Sequence, residues 1–335
     1  MAYLFPFFFF LAALPVHAVE NNDFYDNEKT FELAVPPLTI AGEVENPGPV
    51  DFTKLPVRSL MARETEMKNG FPGFTGAYRY DGYSLFDILK ESYLSKKNKQ
   101  EFPPIIDLMV IVENKKGDKV VLSWGEIFYP TSLHRIIIAK SVSPIIPSKT
   151  KEQWPIPPSS KLICGNDLLT VRNISDPIRI TVISNPHSFP VQKDLSPLYA
   201  SKVRIFEKEK LLADTADFPQ GLETRTYPTV FFGRGKGFHG LEQFNGRLLK
   251  EILAPYYSAD PENLKKGYLT LVGADGYRVS VTASELFNRN DYSEYLFIDA
   301  GSYQDGGRFK VYPAYDFFSD RAVKGLSEIR FDLIK

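Results

Sequence analysis

Apolar and polar positions divide the chain into an unusual opening and two similar halves. No Asp, Glu, Lys or Arg occurs before Val19, and Leu4 to Leu14 is nearly continuous apolar sequence, followed by Val16-His17-Ala18. This pattern predicts a secretory signal peptide over residues 1–18, cleaved after Ala18, because small side chains stand where a signal peptidase inspects the chain. The stretch is shorter than the roughly 20 residues a spanning helix needs, and no later run is long enough, so no membrane span is expected after cleavage. Residues 19–33 are polar and acidic and read as an N-terminal arm.

Beyond the arm the chain repeats itself. Phe74-Thr-Gly-Ala-Tyr-Arg-Tyr-Asp-Gly82-Tyr-Ser-Leu-Phe-Asp-Ile-Leu89 falls on Phe238-His-Gly-Leu-Glu-Gln-Phe-Asn-Gly246-Arg-Leu-Leu-Lys-Glu-Ile-Leu253 at a separation of 164. Each copy predicts an aromatic strand, an Asp-Gly or Asn-Gly turn, and a helix, over 84–92 and 248–255. The helices would bury Leu85, Ile88 and Leu89, or Leu249, Ile252 and Leu253, at helical spacing. Strand, Gly-turn, strand patterns over 110–122 and 270–282, with the turn glycines Gly117 and Gly276 at a separation of 159, predict hairpins. Further strands are predicted at Ile136 to Ala139 and Tyr295 to Ile298, and closing strands at Ile178 to Ile183 and Ile329 to Ile334. Strands mixed with one dominant helix in each copy give an α+β class: two tandem sheet-and-helix domains over 34–183 and 201–335. The three prolines of 184–200 mark a linker. The proline-rich stretch Ser143 to Ser160 cannot be a central strand. It reads either as a lid or as an ordered crossover loop with Trp154 tucked into the core.

Composition narrows the chemistry. The net charge is -1, from 40 basic and 41 acidic residues, so neither nucleic acid nor an anionic membrane is expected as a partner. A hydrophobic content of 43% excludes a mostly disordered chain. The single cysteine, Cys164, allows no internal disulfide, and His134, His187 and His239 are too scattered for a His/Cys metal centre. The same scatter leaves no Ser/His/Asp or Cys/His catalytic arrangement. Glu64 and Glu66 share a strand face and read as solvated charges.

The opening Leu38-Thr-Ile-Ala-Gly-Glu-Val-Glu-Asn-Pro-Gly-Pro-Val-Asp-Phe-Thr-Lys-Leu-Pro56, followed by the Phe-x-Gly...Gly-x-x-Leu-x-x-Ile-Leu helix, resembles the molybdopterin-binding oxidoreductase domain of the sulfite oxidase family. The resemblance covers about 38–183 and, more faintly, 202–334. It implies that family's fold, and a pterin dithiolene holding molybdenum with a protein thiolate as a further ligand. The thiolate is expected between Arg58 and Gly73, where the only sulfurs are Met61 and Met67, and the matching stretch Thr224 to Gly237 has none. Cys164 lies outside that stretch and reads as a buried structural thiol. The N-terminus also shows no Arg-Arg pair for export of a folded, cofactor-loaded protein.

The residues that would face such a cofactor are Arg63, Lys68 and Asn69 in the first copy, and Arg234, Lys236 and His239 in the second, whose alternating glycines either turn backbone N–H groups toward an anion or form a mobile hairpin connection with solvated charges. Lys161, Asn166 and Arg172 flank the strand that, in the resembled family, also approaches the pterin. The expectation is a periplasmic or secreted, cofactor-free binding or assembly module for a small anionic ligand or a periplasmic protein. The alternative is a periplasmic molybdopterin-dependent oxidoreductase that holds its cofactor without a cysteine ligand.

Overall fold

A computed structural model describes residues 28–301 and 306–335; the signal-peptide region 1–18 and most of the 19–33 arm lie outside the described residues. In chain order the first half runs β1 (Phe31–Glu32), β2 (Thr39–Gly42), β3 (Gly48–Pro49), β4 (Arg58–Lys68), β5 (Phe71–Ser84), α1 (Leu85–Leu89), β6 (Leu108–Asn114), β7 (Lys119–Ser123), α2 (Trp124–Phe128), β8 (Ile136–Pro144), β9 (Leu162–Cys164) and β10 (Pro177–Ser184). The second runs β11 (Val203–Glu207), β12 (Lys210–Thr215), β13 (Arg225–Gly233), β14 (Gly237–Leu248), α3 (Leu249–Leu253), α4 (Pro261–Lys266), β15 (Gly267–Gly273), β16 (Arg278–Thr282), α5 (Ala283–Phe287), β17 (Tyr295–Asp299), β18 (Phe309–Pro313) and β19 (Leu326–Leu333).

These elements correct the expected fold class. The protein is mostly β, 45% strand against 11% helix, in four small sheets set as a four-bladed, propeller-like arrangement rather than the α+β fold of the sulfite oxidase family. Two sheets belong to the first half, β1-β8-β5-β4 with β9 on β8, and β3-β2-β10-β6-β7; the second half supplies β12-β11-β19-β15-β16 and β13-β14-β17-β18.

Two features of the sequence account for the difference. The stretches 58–73 and 224–237, which carry charges on both faces, are the long strands of two hairpins. In β4, buried Leu60 and Ala62 alternate with exposed Met61 and Arg63, and the turn to β5 is Asn69-Gly70, with φ of 51° and 82°. Positive φ at both central residues is the geometry whose twist matches the flanking strands. The predicted helices, by contrast, last barely more than one turn. Ser92 breaks the apolar face one turn beyond Leu89, and Pro255 cannot continue α3. The triplets Leu85, Ile88, Leu89 and Leu249, Ile252, Leu253 are nonetheless buried.

The matched positions occupy equivalent places. Gly82 lies against the Ile138 carbonyl and Gly246 against the Phe297 carbonyl, two residues that are themselves 159 apart. Helices α2 and α5 start with the same capping box, Ser123 with Glu126 and Thr282 with Glu285. Both β2–β10 and β11–β19 pair in parallel, and β10 and β19 each have an antiparallel neighbour on the other side.

The halves share one hydrophobic core, to which Leu108, Val120 and Ile180 contribute from the first and Leu269, Val279 and Ile329 from the second. The segment read as a linker packs against the second half: buried Asn185 donates to the hydroxyls of Thr270 and Ser280 at 2.6 and 3.0 Å. In the proline-rich stretch, the indole of Trp154 donates to the Ile145 carbonyl at 2.7 Å and meets Phe74 edge-on, an ordered crossover packed on β5.

Candidate functional site

Around the starts of α2 and α5 the two halves meet through buried charge. Arg172 binds Asp167 at 2.7 Å and Glu126 at 3.0 Å, and Arg321 binds Asp316 at 2.7 Å and Glu285 at 2.5 Å. The cap hydroxyls cross between halves: Ser123 donates to Glu285 at 2.8 Å and Thr282 to Glu126 at 3.3 Å. Burial raises the Glu126 and Asp167 carboxyls against the pull of Arg172, and pushes Asp316 up to about 6 against Arg321. The cavity beside this network, lined by Cys164, Asn166 and Arg289 among others, is about 10 Å³, room for no more than one water. Arg172 is therefore a partner for internal carboxylates.

The other expected site residues fall in three further places. Lys161 is held at 2.6 Å from Glu64, which also accepts from the Tyr80 hydroxyl at 2.9 Å. Asn166 accepts from Arg135 at 3.1 Å through its side chain. Arg63, Lys68 and Asn69 lie along the first hairpin, with Lys68 in a surface pair to Glu66 at 2.7 Å. Arg234, Lys236 and His239 stand exposed at the tip of the second. There the Arg234 N–H donates to the Asp320 carboxylate at 2.8 Å, so the protein's own anion occupies the donor that the glycine pattern reserved for a ligand.

The residues do not fit the molybdenum cofactor. The metal needs a soft, charged thiolate, and a methionine thioether is neutral. Cys164 is 2% exposed, with burial pushing its thiol well above the ordinary range. The segment from Arg58 to Gly73 places Met61 and Met67 on a hairpin rather than in a cofactor-facing loop.

A constellation that sequence reasoning missed lies at the start of α1. The Ser84 hydroxyl caps the helix by accepting from the Asp87 N–H at 3.0 Å and donates to the Asp87 carboxylate at 2.9 Å. Asp87 also binds Arg58 at 2.9 Å and Lys90 at 3.1 Å, and His134 Nδ1 lies 3.0 Å from the Ser84 oxygen. Because an ionised carboxylate only accepts, the Ser84 proton is committed to Asp87, and the Ser84 oxygen must accept from an Nδ1–H. That leaves Nε2 of His134 as a free acceptor. Burial, then the charge on Arg58, lowers the imidazole's pKa and favours the neutral ring. The Ser-x-x-Asp spacing is a helix-start signal; nothing local marks His134 as its neighbour.

Burial raises the Asp87 carboxyl, but the hydrogen bonds from Arg58, Ser84 and Lys90 prevail and hold it down at about 2. A carboxyl depressed below its unfolded value contributes stability that is fully present above about pH 4 and is lost as pH falls through about 2. Asp87→Asn should therefore destabilise the protein at pH 7, and the gap should close between pH 4 and pH 2 in urea unfolding series. A gap that stays constant with pH would show that the ionised form is not what stabilises.

Among the described residues no group of three or more His, Cys, Asp or Glu is placed to hold a metal ion, and no helix is long and apolar enough to cross a membrane. No family model, curated protein or solved structure matches the chain.

Proposed function

We propose that the protein is a cofactor-free binding or assembly module of the periplasm or cell exterior, and that its partner is a protein rather than a small anion. One observation carries this reading: the two long hairpins hold large apolar side chains in solvent. On the first, Phe71 is 76% exposed; on the second, Val230 and Leu241 stand directly opposite one another, 57% and 79% exposed, with exposed Phe238 nearby. Cross-strand apolar pairs normally contribute by burial against something, and clustered exposed apolar groups mark interaction surfaces. At the tip of the second hairpin the Arg234 backbone N–H already has a carboxylate, that of Asp320. The uncharged apolar opening of the chain supports the compartment.

The test uses the native host. A photo-crosslinker at Leu241 should trap one discrete protein, and Val230→Ser with Phe238→Ser should remove that product without changing the melting temperature, since these side chains contribute little to the core. Purified protein should hold no stoichiometric molybdenum and should not oxidise sulfite. One pterin and one molybdenum per chain, or crosslinking unaffected by the serine variants, would overturn the proposal.

A further inference from the structure

We infer that the outer edge of β4 receives an extended peptide as an added strand, with an acidic side chain of that peptide lying between Arg63 and Arg135. The inference rests on the reading of the protein as a protein-binding module and assigns a second, separate contact to it.

The backbone makes the first part of the argument. β4 ends its sheet, so among the described residues no strand pairs with its outer side. Thr65 shows which residues face that way: its N–H donates to the Thr170 hydroxyl at 3.0 Å, and its carbonyl accepts from the same hydroxyl at 2.7 Å. The register shift beyond Glu64 places the extra residue, Thr75, on β5, so the alternation of β4 continues unbroken. Ser59, Met61 and Arg63 therefore direct their N–H and C=O groups outward as Thr65 does. At Thr65 a loop satisfies them; from Ser59 to Arg63 it does not.

A groove runs along these residues. A cavity of about 560 Å³ lies beside Ser59 to Met61, walled by Thr131 to Arg135; it meets at Met61 and Arg135 a second of about 440 Å³, which passes Arg63, Gly165 and Asn290 and extends over the sheet face to Ala77 and Ile145. The three outward residues and their neighbours span about 16 Å at roughly 3.3 Å per residue, the length of a short strand. Arg63 and Arg135 both line this groove, and neither has a carboxylate partner among the described residues. Nearby acids are committed: Glu64 to Lys161, and Asp81 to Ser59 and Arg79. His134 lines the first cavity and brings its free Nε2 as an acceptor.

The second half supplies the contrast. Arg58 pairs with Gly82 and Arg225 with Gly246, so Met61 corresponds to Pro228. Proline has no N–H to offer an incoming strand and is a common guard on sheet edges. One copy guards its edge and the other leaves it open beside two arginines that have no carboxylate partner among the described residues.

The test pans the full mature chain against a library of random nine-residue peptides. Enriched sequences should carry Asp or Glu among alternating β-branched residues. Methylating every second backbone nitrogen of the best binder should weaken it at least ten-fold, because added strands are held through main-chain hydrogen bonds. Met61→Pro should cause a similar loss and Met61→Leu none, with circular dichroism showing that both variants fold; should Met61→Pro fail to fold, the methylated peptides decide. Arg63→Glu with Arg135→Glu should remove the acidic preference. Absence of enrichment, or equal binding by the methylated peptide, overturns the inference. Persistence of the Leu241 crosslink in that case leaves the binding-module reading standing.

Discussion

Replacing Arg172 with methionine is expected to lower stability by about 3–5 kcal/mol at pH 7, the range for breaking a buried pair by removing one member. Methionine keeps much of the side-chain volume, so the loss is chiefly electrostatic. Glu126 and Asp167 would remain buried without the guanidinium that now binds both. Arg321→Met should behave similarly, because Glu285 and Asp316 stand to it as Glu126 and Asp167 do to Arg172. The two effects should not add, since the Ser123 and Thr282 hydroxyls couple the networks. Adding Glu126→Gln and Asp167→Asn to Arg172→Met should recover part of the loss, as neutral amides are less costly to bury than unpaired carboxylates. The pH dependence has a definite sign. Burial already raises both carboxyls, and loss of Arg172 raises them further above their unfolded values. The native state then gains protons as pH falls, and the deficit of the variant should shrink between pH 7 and pH 5. Urea unfolding at the two pH values measures this; a deficit below about 1 kcal/mol at pH 7 would mean that water or relaxation replaces the arginine.

This centre shows which parts of the structure the sequence makes legible. The hairpins β6–β7 and β15–β16 and the buried triplets of α1 and α3 rest on signals a few residues long and could be read. The charged centre could not, because Arg172 lies 46 positions from Glu126 and only the sheet arrangement brings them together. The β4–β5 hairpin was hidden for another reason, whereas the Gly233 to Gly240 connection of β13 and β14 was one of the two readings of that stretch. Arg63, Glu64 and Lys68 resemble the charges of a mobile loop, whereas an edge strand carries Arg63 and Lys68 in solvent and turns Glu64 to Lys161. The family resemblance rested on the same short motifs, and motifs at that scale fit more than one arrangement of sheets. Of the nine expected site residues, Arg172 and Lys161 were expected beside a cofactor because of the resemblance; in the fold both turn to the protein's own carboxylates, Asp167 with Glu126 and Glu64.

The glycines shared by the two copies carry the other large expected effect. At Gly82 an added Cβ would stand 2.1 Å from the Ile138 carbonyl oxygen and 2.8 Å from the Ala139 Cα; at Gly246 it would stand 2.6 Å from the Phe297 carbonyl oxygen. All of these neighbours are backbone, so no rotamer change relieves the overlap, and β8 or β17 would have to shift. Gly82 sits where the β5–β8 register slips by one residue, a local irregularity that lets the two strands approach closely. Gly82→Ala is therefore expected to cost about 3 kcal/mol or more, at the upper end of overpacking effects, and Gly246→Ala somewhat less. The consequences should also differ in place. β5 continues into α1, so Gly82→Ala should disturb the Ser84 cap and bring His134 closer to its ordinary imidazole pKa. Gly246→Ala should leave His134 unchanged, because its own helix α3 has no side-chain cap and lies in the other half. Thermal unfolding with an NMR titration of His134 separates the two variants. Equal, small losses at both positions would mean that the sheets tolerate a methyl group there, and that the shared glycines are not what sets the close approach of β5 to β8.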